Sequence, residues 1–208
     1  MTIDESGSNR IVVVPGANLK YGVEDVKQIH HIIRAADVVL LQLEIPLETV
    51  SHAVEMASRY KVPVTLNPAP AQPLSEETLR NVSCLTPNET EAEMLSGVKI
   101  TDLNTARATV SRLLEMGVTR VVITLGEDGA LYVDQSGTGH VPAFAVDVVD
   151  TVAAGDAFNA GLVVALTLHK PLRETVQFAN TVGALTVTRH GAIPSLPSLN
   201  EVTDLLGT

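Results

Sequence analysis

The sequence predicts an α/β fold, a three-layer αβα sandwich around a mostly parallel, doubly wound sheet. Three observations carry this reading. Short Val/Ile/Leu-rich runs alternate with stretches of helical periodicity, which is the rhythm of parallel strands joined by right-handed crossovers. Hydrophobic residues make up 45% of the 208 residues, enough for a sizeable core. Aromatics supply only 3% and tryptophan is absent, so that core is aliphatic, as in sheets covered on both faces by helices.

Buried strands are expected at 11–14, 38–43, 62–66, 82–85 and 121–125, each an apolar run bounded by turn residues. Helices are expected between them at 23–35, 47–60, 90–95 and 104–115. The last carries Ala106, Val110, Leu113 and Leu114 at helical spacing and has Gly117 as its stop. Residues 130–133 and 140–144, separated by 134–139, read as an antiparallel hairpin added to the sheet. Two long helices, near 156–168 and 172–188, close the pattern, followed by a Gly/Pro-rich loop at 189–197. No linker is visible, so residues 1–208 are expected to form one domain.

The formal net charge of −10 argues against a nucleic-acid or anionic-membrane partner, because no basic footprint offsets it. The single Cys84 excludes an intramolecular disulfide and fits a reducing cytoplasm. Inside a strand, it reads as core rather than nucleophile. The polar, acidic start M-T-I-D-E-S-G-S-N-R is no signal peptide and reads as a turn or frayed end. No apolar run is long enough to span a bilayer. The six histidines show no metal-ligand spacing and read as surface residues. No nucleophile elbow supports a Ser/His/Asp triad.

In open α/β sheets, ligands bind beyond the carboxyl ends of the strands. Polar or glycine-bearing strings follow most of the expected strands: E-I-P from Glu44, N-P-A-P from Asn67, T-P-N-E-T-E from Thr86, and T-L-G-E-D-G from Thr124. Asn88 and Glu91, three apart at a helix start, could hold a hydrated Mg²⁺, and the same spacing is that of an N-cap with its capping-box partner. The glycines of T-L-G-E-D-G would let backbone approach a nucleotide, or simply form a hairpin turn. The most informative string is D-T-V-A-A-G-D-A-F, 150–158. Its small residues Ala153, Ala154 and Gly155 permit close approach, and the following helix presents unpaired N–H groups suited to a phosphate. Asp156 could there take a proton from an attacking hydroxyl, or serve only as an N-cap.

Taken in order, P-G-A-N (15–18), L-Q-L-E-I-P-L-E (41–48), N-P-A-P-A (67–71), T-P-N-E-T-E-A-E (86–93), I-T-L-G-E-D-G (123–129), D-T-V-A-A-G-D-A-F-N (150–159) and V-T-R-H-G-A-I-P-S (187–195) resemble the ribokinase family of sugar and nucleoside kinases. The resemblance runs over nearly the whole chain. It implies ATP-dependent phosphorylation of a sugar hydroxyl, of the ribose to ribose 5-phosphate type. Asp156 is then the general base, and Ala153, Ala154, Gly155 and Asp156 supply N–H groups to the transferring phosphate. Asn88 and Glu91 act near Mg²⁺ and the ATP phosphates. Thr124, Gly126 and Gly129 line the nucleotide site with Asn180 near the adenine, and Glu44 contacts the sugar. Asp150, Val152, Thr186, Arg189, Gly191 and Ser195 surround an activating potassium ion, largely through carbonyls. The family's first sugar-contacting strand, its lid and its Gly-Gly segment have no counterpart in this sequence, which reads as an N-terminally shortened member. Exposed sheet edge should then drive homo-oligomerisation, most simply to a dimer. A clean monomer by light scattering, with no binding of a hydrophobe-sensing dye, contradicts that expectation. The contrasting expectation is a nucleotide-binding remnant without turnover, serving as a structural or regulatory subunit.

Overall fold

The computed structural model describes residues 14–207, together with a two-residue antiparallel pairing of β1 (Thr2–Ile3) with β2 (Asn9–Arg10). Residues 11–13 of the expected first strand lie outside the described residues, and Val14 is irregular and exposed. The central sheet has six strands in the order of the chain: β3 (Val39–Leu41), β4 (Val64–Leu66), β5 (Cys84–Leu85), β6 (Val121–Thr124), β7 (Ala130–Asp134) and β8 (Gly137–Val141). The first four run parallel, and the β6–β7 and β7–β8 pairs are antiparallel. The ladders are shorter than the apolar runs because pairing is limited by the neighbour: β5 meets β6 only at Leu85 opposite Val121.

Each helix before β6 packs on one face of this sheet. These are α1 (Val23–Gln28), α2 (His30–Ala35), α3 (Leu47–Arg59), α4 (Glu76–Arg80), α5 (Glu89–Ser96) and α6 (Leu103–Glu115). Successive strand residues point to opposite faces, and the two cores divide accordingly. Leu85, Val121, Ile123, Leu131 and Val133 meet Val50 and Val54 of α3, Leu79 of α4 and Val110 and Leu113 of α6. Cys84, Val122, Ala130 and Val141 face the other way, against Phe158 and Leu162 of α7 (Ala154–Thr167) and Val176 and Ala179 of α8 (Leu172–Thr186). The third layer is thus supplied by the two helices that follow the sheet. A last helix, α9 (Leu199–Leu206), packs Val202 against α7 and α8.

The elements differ from expectation in four places. The helix expected at 23–35 is interrupted at Ile29, whose amide is shared between the carbonyls of Asp25 and Val26. The second hairpin strand starts at Gly137 rather than His140. Asp134 Oδ1 accepts from the Ser136 amide at 2.8 Å and closes the turn within two residues. Two helices were not expected, α4 and α9. Both begin at a serine whose hydroxyl accepts an amide of the first turn: Ser75 from Thr78 at 3.1 Å and Ser198 from Glu201 at 3.4 Å. Among the described residues no helix is long and apolar enough to cross a membrane.

Candidate active site

The parallel strands send their carboxyl ends to one edge, and the segments that follow them meet α7 and α8 there. A groove of about 1110 Å³ opens along this edge. Asn88, Thr124, Gly126, Gly129, Ala154, Gly155 and Asn180, all singled out in the sequence, line it. Three carboxylate residues, Glu89, Glu127 and Asp128, also line it, and no Lys, Arg or His does. Burial pushes the Glu89 carboxyl above its ordinary value, and the charges of Asp128 and Glu93 add to the effect.

The start of α7 has an unusual backbone. Ala153, its N-cap, sits in the left-handed region at φ 61° and ψ 9°. A residue with a Cβ is held there at a cost of about 1–2 kcal/mol. The bend leaves the amides of Gly155 and Asp156 without a backbone acceptor among the described residues. The Ala154 amide reaches Thr151 O at 3.3 Å and the Ala157 amide reaches Ala153 O at 2.8 Å. Two adjacent N–H groups at a helix N-terminus, beside the groove, have the chemistry to receive an anion. The Asp156 side chain is exposed and caps nothing; it accepts from Gln42 Nε2 at 3.3 Å. Gln42, immediately after β3, was not singled out in the sequence. Glu44, two residues on, is exposed.

Asn88 and Glu91 adopt the capping-box geometry. Asn88 Oδ1 accepts the Glu91 amide at 2.9 Å, Glu91 Oε2 accepts the Asn88 amide at 2.9 Å, and Glu91 Oε1 accepts Asn88 Nδ2 at 2.9 Å. Asn67, quoted in a motif but not expected in the site, joins them: its Nδ2 donates to Thr86 O at 2.8 Å and to Glu91 Oε2 at 3.4 Å. Burial pushes the Glu91 carboxyl up, and the bonds from Asn88 and Asn67 pull it back. Asn180 spends its Nδ2 on the carbonyls of Val141 and Pro142, at 3.0 and 3.2 Å, which ties α8 to the groove wall and leaves its Oδ1 without a partner among the described residues. Gly129, at φ 88°, lies so close to the chain that a Cβ would stand 2.2 Å from Val141 O.

Of the six residues expected around a cation, Asp150, Val152 and Gly191 are joined by hydrogen bonds where the segment before α7 meets the one after α8. Asp150 pins the two together: Oδ2 accepts the Gly191 amide at 2.9 Å and Oδ1 the Val152 amide at 3.0 Å. Those amides, Gly191 first, hold its carboxyl below the usual carboxylate range. The side chains of Thr186 and Ser195 are bonded locally to Val182 O and Ala192 O. Arg189 is paired with Glu201 of α9, whose carboxyl the Ser198 amide and Arg189 draw down to about 2. The carbonyls of Asp150, Val152 and Gly191 accept no hydrogen bond among the described residues. No cluster of three or more His, Cys, Asp or Glu suited to a metal occurs among the described residues.

The model of the pfkB family of carbohydrate kinases matches residues 1–199. Ribokinase of Staphylococcus aureus is 38% identical over 203 residues, covering 97% of this chain and 67% of its own length. The crystal structure of ribokinase from Thermotoga maritima superposes with a TM-score of 0.87 at 37% identity, covering 99% of this chain and 68% of that one. Arabidopsis thaliana ribokinase complexed with ribose and ATP gives a TM-score of 0.89 at 32% identity, with 99% and 67% covered. The chain spans about two thirds of the length of these relatives. With the family's model along almost its full length and its fold in every layer, this chain belongs to the pfkB family of ATP-dependent carbohydrate kinases and is ribokinase-like.

Proposed function

We propose that this chain phosphorylates a sugar hydroxyl, of the ribose to ribose 5-phosphate type, at the expense of ATP, with Asp156 as general base. One arrangement carries the reading: Ala154 and Gly155 line a groove sized for a nucleotide, and the next residue, Asp156, is exposed, its amide and that of Gly155 having no backbone acceptor among the described residues. The acceptor hydroxyl gives its proton to Asp156 and attacks the terminal phosphoryl group of ATP. The bond from that phosphorus to the bridging oxygen breaks, and ADP leaves. The free N–H groups of Gly155 and Asp156 bind the equatorial oxygens, where charge gathers as the group transfers. Thr124, Gly126 and Gly129 line the nucleotide, Asn180 Oδ1 is available to the adenine amino group, and Glu44 contacts the sugar.

A groove lined by carboxylates and no cation suits a polyphosphate only with a divalent counter-ion. Mg²⁺ would be held near Asn88 and Glu91 through water, since both Glu91 oxygens are already hydrogen-bonded. When bound, it neutralises phosphate charge. Potassium would be held by the carbonyls of Asp150, Val152 and Gly191, which accept no hydrogen bond among the described residues, with Thr186, Arg189 and Ser195 completing the expected set. It would order the loop leading into the anion cradle. A cytoplasmic location and a homodimer complete the proposal; light scattering tests the latter.

The decisive experiment is a coupled ADP-release assay over a panel of pentoses, hexoses and nucleosides, with and without potassium, on the chain and on Asp156→Asn. Removing the base should lower sugar-dependent turnover by about 10²–10⁴-fold while ATP binding persists. Undiminished turnover in Asp156→Asn refutes the role of Asp156. A parent chain that binds ATP and turns over no sugar supports the contrasting reading, a nucleotide-binding remnant without turnover.

A further inference from the structure

We propose that Gln42 is a positioning residue for the Asp156 carboxylate; this rests on the reading of Asp156 as the base. The two residues are 114 positions apart, yet Gln42 Nε2 donates to Asp156 Oδ1 at 3.3 Å. Among the described residues, no other side chain bonds to Asp156. The distance is at the long end, as catalytic hydrogen bonds often are before substrate binds.

Gln42 stands on a fixed platform. On one side the Asn67 amide donates to Leu41 O at 2.9 Å; on the other the Leu43 amide donates to Ala69 O at 2.7 Å. Leu43 O in turn accepts Gln72 Nε2 at 3.1 Å, and the Leu43 side chain is buried in the core. The partner is equally well anchored, in the first turn of α7.

The chemistry explains why an amide suits this position. An exposed aspartate samples several staggered rotamers, and proton abstraction needs an oxygen within about 2.6–3.2 Å of the hydroxyl. One donor on Oδ1 selects a rotamer and leaves Oδ2 for the hydroxyl. A neutral amide does so without a neighbouring cation that would weaken the base. A carboxylate at position 42 would repel it.

Kinetics and NMR together test the assignment. Gln42→Ala should lower kcat by about 10–100-fold, the scale of a misplaced reacting group, with KM for ATP unchanged. Gln42→Glu should lose at least as much. In an Asp156→Asn background, Gln42→Ala should cost nothing further. Independently of turnover, the Gln42 side-chain amide resonance should move as the pH crosses the carboxylate range, and stay still in Asp156→Asn. Full kcat in Gln42→Ala, additive losses in the double variant, or a Gln42 amide insensitive to pH overturns the proposal. If the parent chain turns over no sugar, the reading of Asp156 as the base fails, and the NMR titration alone decides whether the two side chains are coupled.

Discussion

Gly126 and Gly129 belong to one motif, and the structure gives them different reasons to be glycine. At Gly129 a Cβ would stand 2.2 Å from Val141 O, 2.5 Å from Ala143 N and 2.6 Å from Pro142 C. All three are backbone atoms at the end of β8, so no side-chain rotation relieves the contact. Gly129→Ala therefore combines overpacking, about 1–3 kcal/mol, with a positive-φ backbone at ψ −124°, outside the left-handed helical region, about 1–3 kcal/mol. The sum, about 2–6 kcal/mol, lowers Tm by roughly 4–24 °C at the 2–4 °C per kcal/mol typical of this chain length. Gly126 also has positive φ, 54°, but a Cβ there meets nothing within 4 Å. Gly126→Ala carries only the backbone strain, about 1–2 kcal/mol. Its methyl occupies open space beside the groove, so it should weaken nucleotide binding more than it weakens the fold. Thermal unfolding and ADP titration on both variants separate the two effects. Equal destabilisation by the two substitutions, or a Gly129→Ala protein within 1 kcal/mol of the parent, would show that the hairpin end relaxes freely and refute the close-approach argument.

Two further outcomes follow from ionisation. The Glu201 carboxyl is lowered to about 2 in the folded chain by the Ser198 amide, Arg189 and the Ser198 hydroxyl. A depressed acid stabilises the fold fully above its unfolded value near 4.3, and that contribution is lost as the pH falls toward 2. The stability difference between the parent and Glu201→Gln, read from urea unfolding, should therefore be constant near neutrality and shrink on acidification; a difference that grows on acidification contradicts the pairing. Cys84 is 1% exposed, and burial pushes its thiol up to about 12 against the opposing charge of Arg120. A thiol reagent at pH 8 should label it only as the chain unfolds, with one equivalent taken up; rapid labelling of the native chain refutes its placement in the core.

What the sequence disclosed was mostly local. The run Val121, Val122, Ile123 shows a strand buried on both faces because both faces are apolar, and the structure sends these residues alternately to the two cores. The Asn88–Glu91 spacing correctly marked a helix start, and Ser198–Glu201 carried the same mark for α9, although it was passed over in a short segment. The break at Ile29 has no glycine or proline to announce it. The contacts that assemble the site are nonlocal. Asp150 reaches Gly191 across 41 residues, Asn67 reaches Glu91 across 24, and Gln42 reaches Asp156 across 114. No periodicity relates such pairs. They become neighbours because parallel crossovers return every strand end to the same edge.

The same topology explains why the two halves of the site are unequally supported. On the proposed reading the phosphate side is made of backbone: the amides after Ala153, the turn at 124–129 and the carbonyls around Asp150, the last held by the bonds of its side chain to the Val152 and Gly191 amides. Such a cradle forms whenever the fold forms and costs no reorganisation when charge develops on a phosphate. On the proposed reading the acceptor side depends on the segment after β3, where Gln42 and Glu44 follow the one strand of the parallel set with a single neighbour among the described residues. Each residue of β3 is only partly buried, whereas β4 is buried throughout. Holding a hydroxyl in line with a phosphoryl group accounts for a large share of the rate of such transfers. On the proposed mechanism, the bond from Gln42 to Asp156 is the contact through which the β3 edge would act on the transfer.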